Sequence, residues 1–260
     1  MTDRLRALTM NLLTYVSADG PARQDVLRRV LVPELQPDVV ALQEVTHDQA
    51  AELLGPDYAI LDLPGGDPTY GGECVATRCP VVDVHKLDSA VAVEIVTPLG
   101  HILAVGHKGT YELDAEIIRE QQALSTARFV EDLNQPRLPV ILLGDFNAAP
   151  DSASIRFLSG RQSLNGQSVR YEDAWEARHS SDPGPTFDPR NPLVRAGQMP
   201  LERGRRIDYI MVRSGAHGPY LDVADCRRVF TEPVDGVWAS DHYGLLADLQ
   251  QPPHPPGEWA

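Results

Sequence analysis

The sequence has few cysteines, no long apolar run and a shortage of basic residues, and each shortage excludes a class of protein. Three cysteines in 260 residues are too few, and odd in number, for a disulfide framework, so we expect reduced thiols in a cytoplasmic protein. No apolar run approaches the roughly 20 residues of a membrane helix, and the first eleven residues are not typical of a signal peptide. No spacing of cysteine and histidine is typical of a zinc site.

The charge balance limits the partners of the chain. Lysine and arginine number 23 against 37 acidic residues, which gives a formal net charge of −14. A protein that binds long nucleic acid usually presents a broad basic face. Here the basic residues form small groups such as Arg203, Arg205 and Arg206, which carry enough charge for one or two phosphates. The composition argues against extended contact with a duplex and leaves the oligomeric state open.

Short aliphatic runs alternate with amphipathic segments. Runs bounded by turn residues predict strands, and apolar residues near helical period predict helices. Strands are predicted at residues 6–13, 39–43, 74–77, 81–87, 90–97, 101–107, 140–143, 207–212 and 244–249, and helices at 22–31, 48–54, 114–133 and 152–158. The short connections between residues 74 and 107 predict antiparallel pairing there. Residues 61–72, 159–168 and 178–204 are predicted loops.

The pattern predicts one domain over residues 1–250, because neither a repeat nor a linker interrupts it. Residues 251–260 contain four prolines and are predicted to be a disordered tail.

Polar residues stand where aliphatic runs stop. The run before Gly144 ends in Asp145 and Asn147, which point the same way if the backbone stays extended. The same change from apolar to polar occurs at Asn11, at Gln43 and Glu44, at His107, at Asp208 and at Ser240, Asp241 and His242. Ligand sites in layered α/β folds gather at the ends of strands, so we expect these side chains to form one site.

Each of these residues also has a structural interpretation when it is taken alone. Asp145 and Asn147 could cap a turn. Asp208 could pair with Arg205 or Arg206, and either His107 or His242 could be a core histidine. The ordered set favours the functional interpretation.

Six short motifs together resemble the endonuclease/exonuclease/phosphatase superfamily, which includes DNase I, abasic-site endonucleases, neutral sphingomyelinases and inositol-polyphosphate 5-phosphatases. They occur in the family's order from residue 9 to 242, at residues 9–11, 42–44, 106–107, 144–147, 206–210 and 240–242. The resemblance implies a DNase I-like α/β (α+β) fold. That fold is a four-layer α/β sandwich, in which two stacked, mostly antiparallel β-sheets are flanked by helices.

The resemblance also implies a metal site. Glu44 would be the principal ligand of a divalent cation, with Asn11 beside it and Asp241 contributing. Oxygen ligands without sulfur suit Mg²⁺, with Mn²⁺ as an alternative.

The remaining roles implied by the resemblance concern the reacting phosphate. His242 would pair with Asp208, and either His242 or Asp145 would activate the attacking water. Asn147 would orient the phosphate or the nucleophile. His107, as a cation, would hydrogen-bond a phosphate oxygen and stabilise charge in the transition state.

The choice of substrate is expected to depend on the loops. Thr186 lies in a segment similar to a family loop near the site, so it is expected to touch the substrate together with Arg206. Thr46 stands where abasic-site endonucleases typically carry a lysine, which lowers the weight of that branch. Segments 62–72, 108–114, 159–168 and 180–206 are expected to select the substrate.

The resulting functional hypothesis is a divalent-metal-dependent hydrolase of phosphoester bonds. Its substrate would be a small molecule, a lipid headgroup or a nucleic acid. Two alternatives stay open, namely an endonuclease or exonuclease acting on DNA or RNA, and a binding protein of the same fold that has lost its chemistry.

Overall fold

Two sheets of six strands each form the centre of the protein. The computed structural model describes residues 3–63, 71–134 and 138–253. The strands are β1 (Leu5–Asn11), β2 (Val39–Val45), β3 (Ala59–Asp62), β4 (Gly72–Thr77), β5 (Val81–Leu87), β6 (Ala90–Thr97), β7 (Gly100–Lys108), β8 (Val140–Asp145), β9 (Tyr171–Asp173), β10 (Asp208–Arg213), β11 (Asp222–Val229) and β12 (Gly244–Gln250). The strand order is β11-β12-β1-β2-β4-β3 in one sheet and β5-β6-β7-β8-β10-β9 in the other.

Helices cover the outer faces of the two sheets. They are α1 (Gly20–Val30), α2 (His47–Leu54), α3 (Glu116–Leu133), α4 (Ala153–Leu158), α5 (Ala174–Arg178) and α6 (Pro192–Ala196), and a π-helical turn (Leu31–Leu35) follows α1. No helix within the described ranges is long and apolar enough to cross a membrane.

The strands alternate between two apolar layers. In β1, Leu5 packs between the two sheets, whereas Leu8 packs under α1 and α2. In β8, Ile141 faces the space between the sheets and Leu142 faces α3 and α4. Both faces of these strands are therefore buried, which explains why their sequences are unbroken aliphatic runs. The four-layer sandwich expected from the sequence is confirmed.

Both sheets are mostly antiparallel, with one parallel pair at the centre of each. β1 pairs with β2 in parallel, and β7 pairs with β8 in parallel. The antiparallel neighbours β12 and β10 begin at the edge where these parallel strands end. Residues at the ends of β1, β2, β7 and β8 thus meet residues at the starts of β10 and β12. This arrangement creates the site.

Several elements were not expected from the sequence. β3, β9, β11, α5 and α6 are absent from the predicted pattern. Strand β11 carries charged side chains at an exposed sheet edge, which hides its period, and β9 has only three residues. The predicted loop 178–204 contains α6, where Asn191 caps Leu193 and Pro192 is the first helical residue. The predicted loop 61–72 is partly strand, and residues 64–70 lie outside the described residues, as does most of the predicted tail.

Gly144 is required for the close approach of β7 and β8. It has φ 153°, and a Cβ atom there would lie 1.8 Å from the His107 carbonyl oxygen. We expect Gly144→Ala to lower the free energy of unfolding by about 3 kcal/mol, because the clash adds to backbone strain. Gly100→Ala is the control, since Gly100 has φ 101° and open space around it. Urea denaturation of both variants checks this, and equal losses would contradict it.

Candidate active site

The Asn11 side chain joins the two sheets at the edge where β1 ends. Its Nδ2 donates to Glu44 Oε1 at 2.9 Å and to Asp145 Oδ2 at 3.1 Å. Its Oδ1 accepts from the backbone N–H of Leu13 at 2.9 Å. Asn11 is buried. One amide group therefore fixes the distance between a carboxylate of the first sheet and a carboxylate of the second.

Glu44 occupies a strained position at a bulge of β2. The pairing of β2 with β4 shifts register between Gln43 and Val45, and Glu44 has φ 57°. Such a backbone costs about 1–3 kcal/mol for a residue other than glycine and persists where the surroundings hold it. Glu44 Oε2 accepts from the backbone N–H of Thr14 at 3.2 Å. The bulge turns the Glu44 carboxylate toward the site.

The charge of Glu44 is held by its neighbours. Burial raises the pKa of Glu44, but Lys108, Asn11, His242 and Thr14 outweigh it and bring this pKa to about 2. Glu44 is therefore ionised at neutral pH, as a ligand for a cation has to be.

Asp145 and Asn147 come together through a turn. Strand β8 ends at Asp145, and Asn147 has φ 50°, so the expectation of an extended backbone through both residues is wrong. The Asn147 side chain folds back, and its Nδ2 donates to Asp145 Oδ2 at 3.1 Å and to Gly109 O at 3.0 Å. Burial and the nearby Asp208 raise the pKa of Asp145 to about 6, against the opposing effects of His242, Lys108 and Asn11.

His242 and Asp208 form a buried pair. The atoms His242 Nδ1 and Asp208 Oδ2 are 2.9 Å apart. Burial lowers the pKa of His242, but Asp208, Asp241 and Asp145 outweigh it and raise this pKa to about 10. The imidazole is therefore a cation beside three carboxylates. Arg205 forms its ion pair with Glu202, so the alternative in which Asp208 pairs with Arg205 does not occur.

Ser240 and Asp241 connect the start of β12 to the end of β1. The Ser240 hydroxyl donates to the carbonyl oxygen of Asn11 at 2.7 Å and accepts from the His242 backbone N–H at 3.2 Å. Asp241 is half-buried, and burial together with the Glu44 charge raises its pKa. The contacts of Ser240 keep Asp241 and His242 close to Glu44.

Three expected substrate contacts are engaged inside the protein. His107 is buried, its Nδ1 lies 3.1 Å from Thr126 Oγ1, and burial lowers its pKa to about 4. The expected imidazolium is therefore a neutral imidazole at neutral pH. Arg206 is buried and pairs with Asp173 and, at 3.5 Å, with Glu176, so it is not the exposed cation that the sequence suggested.

Thr186 is fully buried and contacts the backbone rather than open space. Its Oγ1 accepts from the N–H groups of Ile207 and Asp208 at 3.1 and 3.2 Å. It thus positions the start of β10, and with it the carboxylate of Asp208. Thr186 therefore holds the backbone before Asp208 and is not placed to make the direct contact with the substrate that the sequence had predicted.

Two residues of the site were not among the expected ones. Lys108 Nζ lies 3.3 Å from Glu44 Oε1 and 3.7 Å from Glu73 Oε1. Burial lowers the pKa of Lys108, but Glu44, Asp145 and Glu73 outweigh it and raise this pKa above its usual value. The only signal in the sequence was the position of Lys108, directly after His107. Glu73 gave none, because it reaches the site through the pairing of β2 with β4.

The site has the chemistry of a hard-cation site. Four carboxylates, those of Glu44, Asp145, Asp208 and Asp241, gather around two cationic side chains. Asp208 Oδ1 is buried and has no hydrogen-bond partner among the described residues. Ligand atoms of Asp145, Asp208 and His242 also lie within 4.8 Å of one another. Surplus negative charge and oxygen donors fit a divalent cation, either at Glu44 and Asp241 or at the Asp145 side.

Comparisons with known proteins identify relatives of this chain. The chain is similar to the "Putative neutral sphingomyelinase" of Drosophila melanogaster, with 26% identity over 95% of this chain and 60% of that protein. It is also similar to "Sphingomyelin phosphodiesterase 2" of Rattus norvegicus, with 30% identity over 54% of this chain and 32% of that protein. The chain thus spans between one third and three fifths of the length of these two relatives.

The fold is shared with solved structures. TDP2 of D. rerio, in complex with a single-strand DNA product, superposes with a TM-score of 0.77 at 16% identity, covering 95% of this chain and 99% of that one. The model of the family described as "Endonuclease/Exonuclease/phosphatase family" matches residues 8–242. The chain therefore belongs to the endonuclease/exonuclease/phosphatase family, a family of phosphoester hydrolases.

Proposed function

We propose that this protein is a divalent-metal-dependent phosphodiesterase whose site has a metal side and a water side. Glu44, Asn11 and Asp241 form the metal side. Asp145, Asn147, Asp208 and His242 form the water side. The observation that carries the proposal is the Asn11 amide, which donates to Glu44 and to Asp145 and so makes one network of both sides.

The residues of the metal side fit Mg²⁺ or Mn²⁺. Glu44 is ionised and partly exposed, and Asp241 lies on the same edge. A cation held there would neutralise charge on a phosphate oxygen and on the leaving oxygen. Asn11 positions Glu44 through its Nδ2.

The water side handles the proton. Asp145 is the acceptor of the water proton in this proposal. The three carboxylates around His242 keep its imidazole ring protonated, and a protonated ring cannot accept a further proton. His242 instead donates a hydrogen bond to the phosphate, with Asp208 fixing the orientation of the ring. Asn147 keeps the Asp145 carboxylate in place through its backbone N–H, at 3.0 Å, and its side chain.

The substrate we propose is the phosphodiester of a zwitterionic lipid headgroup, such as sphingomyelin. Exposed apolar side chains stand on the loops that leave the site after β1 and β7 and on the first turn of α3. We call this set the apolar rim: it consists of Tyr15, Val16, Tyr111, Leu113, Ile117 and Ile118. Several exposed apolar side chains beside a site are typical of contact with a membrane or another apolar partner. The two sphingomyelinase relatives favour the same class.

The apolar rim is rigidly presented on its β7 side. Buried Arg119, on α3, donates to the carbonyl oxygens of Thr110 and Glu112 at 3.0 and 2.7 Å. This leaves Tyr111 and Leu113 outside, where they are 58% and 67% exposed. Because the loop is already ordered, it loses little conformational entropy when its side chains enter a lipid surface.

The other two hypotheses have less support. For a nuclease, the net charge of −14 is unfavourable, and Arg205 and Arg206 are paired with carboxylates of the protein itself. For a lapsed binding protein, the complete set of carboxylates and the His242–Asp208 pair are unexpected, because buried charges are costly and binding alone does not require all of them.

The metal assignment predicts different effects for two carboxylates. Glu44→Gln should weaken Mg²⁺ binding about 100-fold, since it removes a charged ligand, whereas Asp208→Asn should change it less than about threefold. Isothermal titration calorimetry with MgCl₂ measures both. The reverse order would move the cation to the set formed by Asp145, Asp208 and His242.

The role of Asp145 predicts a loss of turnover. Asp145→Asn should lower kcat on a soluble aryl phosphodiester about 100-fold or more at saturating Mg²⁺, because the amide cannot accept the proton. Asp151→Asn, on an exposed carboxylate nearby, is the matched control and should leave kcat unchanged. A loss of less than tenfold would remove Asp145 from the role of proton acceptor.

The apolar rim predicts a split between two substrates. The double variant Tyr111→Ser, Leu113→Ser should lower activity on sphingomyelin vesicles about tenfold, because two apolar anchors are lost. Its activity on the soluble diester should not change. Val82→Ser is the control, since Val82 is 52% exposed at the opposite end of the second sheet. Equal activity of all variants on vesicles, or cleavage of single-stranded DNA in preference to lipid, would overturn the lipid proposal.

A further inference from the structure

Lys108 is a cation already present at the carboxylate that is proposed to bind the metal. It ends β7, its side chain is only 19% exposed, and its Nζ lies 3.3 Å from Glu44 Oε1. The same oxygen accepts a hydrogen bond from Asn11 Nδ2 at 2.9 Å. A carboxylate oxygen has about two acceptor positions. Both positions of Glu44 Oε1 are therefore taken by groups of the protein.

The second oxygen of Glu44 is also engaged. Oε2 accepts from the Thr14 backbone N–H at 3.2 Å, which leaves one position open there. A divalent cation at Glu44 would stand within a few ångströms of the Lys108 ammonium group, and the two positive charges repel each other. Full access of a metal to this carboxylate requires the ammonium group to move.

A second acceptor for Lys108 lies next to the first. Glu73 Oε1 is 3.7 Å from Lys108 Nζ, and Glu73 stands opposite Gln43 in the pairing of β4 with β2. The Glu73 side chain is 25% exposed and makes no other ion pair among the described residues. Lys108 can therefore leave Glu44 by a short movement and still be paired.

We propose that Lys108 competes with the divalent cation for Glu44, and that Glu73 receives the lysine when the metal binds. The pair raises the metal concentration that is needed to fill the site. The Lys108–Glu44 pair also offsets the charge of Glu44 before the metal binds, which reduces the repulsion between Glu44 and the neighbouring carboxylates. This inference rests on the proposed role of Glu44 as a metal ligand.

The test is calorimetric titration of the full chain with MgCl₂ and, separately, MnCl₂, with no substrate present. Lys108→Met should bind the metal about fivefold to tenfold more tightly, as the loss of a partly buried competing ion pair predicts. Glu73→Gln should bind it about threefold more weakly, because Lys108 then has only Glu44 as its partner. The double variant should match Lys108→Met, since Glu73 acts only through the lysine.

Two controls make the result specific. Arg4→Met removes one positive charge from an exposed position at the opposite end of β1 and should not change metal affinity. Lys108→Gln, which removes the same charge with a polar side chain, replaces Lys108→Met if that variant unfolds, as judged by its Tm.

The outcomes separate this inference from the proposed function. If Glu44→Gln abolishes metal binding but Lys108→Met binds like the original chain or more weakly, the competition is refuted and the metal site stands. If Glu73→Gln weakens binding equally with and without Lys108, Glu73 is a ligand and its proposed role is refuted. If Glu44→Gln does not weaken binding, the metal assignment and this inference fail together.

Discussion

Repulsion among buried and half-buried carboxylates is the constraint on which the rest of the site depends. Glu44, Asp145, Asp208 and Asp241 gather at one edge of the fold, where burial makes each unpaired negative charge costly. Two cations, two carboxamides and backbone N–H groups offset this cost, and each is delivered by a different loop or strand. The site is therefore a property of the whole sandwich, because no single segment could hold these charges together.

The two parallel strand pairs explain why those segments meet. A parallel pair brings two strand ends to the same edge, and an antiparallel neighbour begins there. Each sheet contains this arrangement once, and the two sheets face each other. The C-terminal ends of four strands (β1, β2, β7 and β8) and the N-terminal ends of two (β10 and β12) therefore converge. Asn11 then connects the sheets by hydrogen bonds that depend on their relative position. The geometry of the candidate site and the packing of the sheets are thus determined by the same contacts.

The sequence predicts the local parts of this site well and the contacts between distant segments poorly. The aliphatic runs predicted strands buried on both faces, and the polar residues at their ends predicted which side chains converge. The partner of Arg206 was not predictable, because Asp173 lies on a strand of three residues with no period of its own. The neutral state of His107 was not predictable either, since it follows from burial against α3, where Thr126 contacts it. Lys108 approaches Glu44 only once the two sheets are stacked, and Glu73 approaches it only once β4 pairs with β2.

The bulge at Glu44 has a consequence for how this chain can change in evolution. Helix α2 starts directly behind it, where Thr46 and Gln49 form a reciprocal capping box. Val45 forms the last pair of β2 with β4, and the next residue, Thr46, is already the cap of α2. Deletion of one residue would restore a regular ladder and turn the side chain of position 44 to the opposite face. The length of this stretch is therefore fixed, and variation in chain length has to be absorbed by loops elsewhere.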